Sequence, residues 1–100
     1  MGHSAKSAAF LVESRIADAA AGEVRALYEL GIAYSTGSDG VGIDLVEAHK
    51  WFNLAALNGS VAAQECRADI AEDMTAREIA EAQRQARAWL ADISPDRRAA

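Results

Sequence analysis

Apolar residues recur along the chain at intervals of three and four, and glycines and short polar segments break the pattern into five stretches. The first runs from Ser4 or Ser7 to about Ala20, with Ala5, Ala9, Val12, Ile16 and Ala20 on one helical face. Gly22 opens the second, where Leu27, Leu30, Gly31 and Tyr34 recur until Gly37, Gly40 and Gly42 halt the period. Asp44 then stands as an N-cap, and Glu47 three residues on gives the spacing of a capping box ahead of Leu45, Ala48, Phe52, Ala55 and Ala56. That stretch ends near Asn58-Gly59. A fourth follows from Ser60 to about Asp73. The fifth begins at Thr75, which with Glu78 repeats the capping-box spacing, and carries Ile79, Ala82, Ala86, Leu90 and Ile93 as its apolar stripe. Ser94-Pro95 disfavours further helix. The expected organisation is a disordered 1–3, one helical domain over 4–93 and a frayed tail over 94–100. None of these helices is long enough to stand without neighbours.

Composition narrows the class. One hundred residues suffice for a single domain, and 24 of them are alanine, the strongest helix former and one that lets helix axes approach closely. One proline, seven glycines and scattered β-branched residues leave too little for a sheet, so the chain reads as all-α. The net charge of −5, with no run of five basic residues, argues against a surface that neutralises phosphates, and no nucleic-acid partner is expected. The longest apolar run near the start, Ala8 to Val12, is too short for a signal-peptide core or a membrane span, so a cytoplasmic location and no membrane contact are expected. A lone Cys66 fits a reducing compartment, and it reads as a small buried residue rather than a reactive thiol.

Gly22, Ala26 and the helix after them return 37 residues later as Gly59, Ala63 and another helix, and Trp51 returns as Trp89. The first unit runs Gly22, Ala26, Leu30-Gly31, Tyr34, Gly40-Val41, Asp44, Ala48, Trp51-Phe52, Ala55-Ala56 and Gly59. In this series the chain resembles the Sel-one-like repeat family, relatives of the tetratricopeptide repeat, in a short bacterial form. The second unit keeps Gly59, Ala63 and Trp89 but places Arg67, Ala68, Ala71 and Met74 where the first has Leu30, Gly31, Tyr34 and Gly37, as a terminal repeat would. The resemblance implies a short α/α solenoid of about two helix pairs over 21–58 and 59–93, capped by the helix over 4–20. It also implies a scaffold or adaptor for protein contacts.

Side chains that could carry chemistry are few. His3 and His49 are the only histidines, so a metal site would have to be built largely from carboxylates, and His49 reads as an exposed or boundary residue. Ser35 and Ser38 have no base placed by sequence to activate them. The glycine-rich segment from Gly37 to Gly42 lacks a phosphate-binding lysine and carries Asp39 where an anion would sit, so it reads as a turn. No catalytic residue, metal or cofactor is assigned. Trp51 reads as a packing residue, and Trp89, with no following repeat to cover it, as a possible interface. By the repeat's geometry, the groove-facing positions are Arg25, Tyr28, Ile32 and Ser35. Their counterparts at the 37-residue offset are Ala62, Glu65, Asp69 and Glu72. A partner peptide or helix with apolar anchors and basic residues would complement that surface. The expected function is a non-catalytic adaptor that binds another protein there. The alternative is a structural subunit of a homo-oligomer or larger assembly. An enzyme, of the hydrolase kind attributed to disulfide-rich secreted members of the wider family, is disfavoured by the single cysteine and the missing signal.

Overall fold

The computed structural model describes residues 5–93, with the backbone alone for 5–9. The expectations for 1–3 and 94–100 fall outside the described residues. Five α-helices and no strands make up the described part: α1 (Ala5–Ala20), α2 (Val24–Thr36), α3 (Leu45–Leu57), α4 (Val61–Ala71) and α5 (Ala76–Ile93). Their limits follow local chemistry. At Gly37, φ is 77°, and its N–H reaches the Ala33 carbonyl at 2.8 Å, closing α2 in the left-handed conformation that glycine adopts without steric cost. Ser60 Oγ accepts from the Ala63 N–H at 3.1 Å and starts α4.

The two capping boxes differ. Thr75 and Glu78 form both reciprocal bonds, at 2.8 and 3.1 Å. Asp44 accepts from the Glu47 N–H at 3.1 Å, but its own N–H is already given to the Tyr34 carbonyl at 2.9 Å. Glu47 therefore turns elsewhere, taking the Trp51 Nε1–H and the Lys50 ammonium, both at 3.0 Å. The box at α3 is half closed because the end of α2 supplies the other partner.

Packing centres on α3. The α2–α3 pair is joined where Gly31 meets the Phe52 ring, and that absence of a side chain is what lets the two axes approach. Both α4 and α5 pack on α3, and they do not pack along each other. Asn53 faces α4, accepting a hydrogen bond from Arg67, whereas Trp51 faces α5 through Trp89. Two residues of helix turn through about 200°, so α4 and α5 hold nearly opposite flanks of α3. The described residues form an all-α globule, and the expected second helix pair is not packed as the first is.

Three other expectations are corrected by this arrangement. On α1 the buried residue of the last turn is Ala19, with Ala20 exposed, because 3.6 residues per turn bring Ala19 back to the Val12–Ile16 face and carry Ala20 off it. On α5, Trp89 packs against the core and Leu90 is exposed, because the helix is turned toward Trp51. His49 is buried rather than at the boundary, since α3 is covered on more than one side.

Candidate interaction face

On the outer face of α2, Tyr28 and Ile32 lie one turn apart and floor a groove of about 330 Å³ whose other walls are Arg15, Glu29, Ser38 and Asp39. Both apolar side chains touch the core on one side and remain part-exposed on the other. The Tyr28 ring meets Phe52 at a centroid distance of 5.9 Å and an interplanar angle of 52°, which fixes its orientation from beneath. Arg15 crosses from α1 to complete the rim, pairing with Asp39 in the loop and with Glu29 at 3.5 Å. Asp39 holds φ at 58°, a left-handed conformation that aspartate tolerates better than most residues. The Arg15 contact rewards that geometry.

The remaining positions expected to face the groove occupy its surroundings. Arg25 is exposed and pairs with Glu29 across one turn at 3.3 Å. Ser35 donates its hydroxyl to the Ile32 carbonyl at 3.1 Å, so its donor is used within the helix. Ala62, Glu65 and Asp69 on α4 and Glu72 at its C-cap are exposed and do not line the groove. Between the two sets, the Tyr28 hydroxyl sits against Cys66 of α4, and the thiol, followed by burial, raises the phenol's pKa. At 100° a residue, Glu65, Asp69 and Glu72 all lie within about 120° of Cys66, on the side away from Arg67. The acidic row is thus a separate strip, turned about 60–120° around the helix from the point where Tyr28 reaches α4.

Sequence reasoning missed Arg15, Glu29 and Asp39. Arg15 and Asp39 are 24 residues apart, and no local period links them. Trp89 makes an edge-on contact with Trp51, at 4.9 Å and 77°, and lines a second cavity of about 260 Å³ with Leu27, Leu54 and Ile93. Trp51 is buried, with Lys50 4.6 Å above its ring.

His49 is 3% exposed, its Nδ1 has no hydrogen-bond partner, and burial together with the Arg67 charge lowers its pKa. Among the described residues no three His, Cys, Asp or Glu side chains cluster to hold a metal ion, and no helix is long and apolar enough to cross a membrane. Comparisons of the chain with protein-family models, curated proteins and solved structures find no match.

Proposed function

We propose that the chain is a non-catalytic adaptor, built as a shortened Sel-one-like repeat array, that binds a peptide or helix of another protein across α2 and α4. The observation that carries this reading is the pair Tyr28 and Ile32. They are anchored from below by Phe52 and the core, yet open to a groove, with a separate exposed acidic strip on the α4 side. Rigid, part-exposed aromatic and branched side chains beside charge are the composition of interface anchors. The close α2–α3 hairpin, with Gly31 against Phe52, supports the repeat resemblance of Gly22 to Ala63.

A fluorescein-labelled amphipathic helical peptide with leucine on one face and lysine and arginine on the other provides the test, beside a copy whose basic residues are glutamate. The basic peptide binds, more weakly as salt rises. Tyr28→Ala weakens it by about 2 kcal/mol, mainly through dissociation, whereas reversing Glu65 and Asp69 to lysine slows association. Equal binding of both peptides, or parent-like binding by both folded variants, would overturn the assignment. Homo-oligomerisation is the second reading, favoured by Leu57 and Val61, which are 64% and 65% exposed on either side of the Asn58–Gly59 turn. Under it, Leu57→Ser with Val61→Ser lowers the sedimenting mass while the helical signal is kept. A parent chain that stays monomeric at high micromolar concentration removes it.

A further inference from the structure

His49 and Asn53 lie one turn apart on α3, at the i, i+4 spacing that sets two side chains on one flank. Asn53 accepts from Arg67, so this flank is the one that meets α4. The imidazole is enclosed there, with Nδ1 lacking any partner that could take or share a proton. We propose that His49 is an acid-sensitive pin of the α3–α4 contact, whose protonation sets a second cation against Arg67 and releases α4 together with its acidic strip.

Other groups around this flank do not offset that charge. From α4, the facing ion is Arg67. From α2, Tyr28 approaches through Phe52 and Cys66, and its phenol, whose pKa is raised, is neutral between pH 5 and 7. The carboxylate of α2, Glu29, is engaged by Arg15 and Arg25. On α3 itself, Glu47 and Lys50 pair with each other beside Trp51, on the flank that meets α5. Burial and Arg67 both favour neutral imidazole in the docked state, so the contact is at full strength above the ordinary histidine value of about 6.5. It is lost progressively as the pH falls below that value and through the lowered one. The release matters for partner binding only if the adaptor reading holds, but it is measured without a partner.

Amide hydrogen exchange of the full chain between pH 7.5 and 5, corrected for intrinsic rates, reads the release. The opening constant of α4 rises by up to about thirtyfold over that range, the ceiling for one site that titrates near 6.5 only when open. Opening of α5 changes far less. His49→Leu abolishes the pH dependence. Should that variant fail to fold, Arg67→Gln serves instead, moving the His49 imidazole titration, followed by NMR, toward higher pH. Unchanged α4 protection in the parent, an equal rise in all five helices, or a His49 titration that Arg67→Gln leaves in place would overturn the proposal. Loss of peptide binding with an intact pH response would sink the adaptor reading alone.

Discussion

Replacing Gly31 with alanine sets two opposed effects against each other at one atom. In an exposed helix the change would stabilise by about 1 kcal/mol, because glycine is the poorer helix former and its unfolded chain is freer. Here a Cβ would stand 2.4 Å from Phe52 Cδ1, 2.5 Å from Cε1 and 2.8 Å from Cγ, well inside contact distance. The ring cannot withdraw easily, being 1% exposed and flanked by Tyr28. Moving it means shifting α3 against α2, and overpacking of this kind costs about 1–3 kcal/mol. Because the overlap is with ring carbons and not with a flexible chain end, the upper half of that range applies. After the propensity gain is subtracted, Gly31→Ala destabilises the domain by about 1–2 kcal/mol. Urea unfolding followed by helical circular dichroism measures it. Phe52→Leu supplies the internal control: it costs stability on its own, but the double variant should be more stable than the sum of the singles by at least about 0.5 kcal/mol. A Gly31→Ala domain as stable as the parent, or a cycle with no coupling, would show that the helix crossing does not rest on this contact.

Further outcomes follow from the caps, the loop and the buried indole. Thr75→Ala should cost about 1 kcal/mol in thermal or urea unfolding, since it removes the Glu78 N–H acceptor of a fully closed box. Glu47→Ala should act instead through the indole, leaving the Trp51 Nε1–H without its acceptor and changing tryptophan fluorescence, while the Asp44 cap persists. Asp39→Gly and Asp39→Ala both lose the Arg15 pair, a part-exposed contact of about 1 kcal/mol at most, but only alanine adds left-handed strain, so the glycine variant should be the more stable in the same assay. Acidification from pH 7 to 5 should destabilise the parent more than His49→Leu, because the lowered imidazole pKa makes the folded state the weaker proton binder.

Helix number, type and approximate limits were legible because each boundary carries its own local signal, as at Gly37, Ser60 and Thr75. The exposed row Glu65, Asp69 and Glu72 was legible for the same reason, a period within one helix. What escaped depends on how helices are arranged. A stripe drawn at 3.6 residues assumes one buried face, but α3 has α2, α4 and α5 against it, so burial extends to His49, Trp51 and Leu54 beyond the Ala48–Phe52–Ala55 line. On α5 the inward position is Trp89 and not Leu90, since three residues from Ala86 return Trp89 to the Ala82–Ala86 face that meets Trp51. The rim of the groove was hidden differently: Arg15 and Asp39 meet only because α1 and the loop after α2 are brought together by the fold.

The separate seats of α4 and α5 on α3 make the molecule a hub and not a stack. In a stacked array, opening at one end peels units in order, since each unit is supported by the one before it. Here α4 and α5 each rest chiefly on α3, so support for one does not run mainly through the other. Local opening of α4 would bare the Asn53 flank, and local opening of α5 the Trp51 flank.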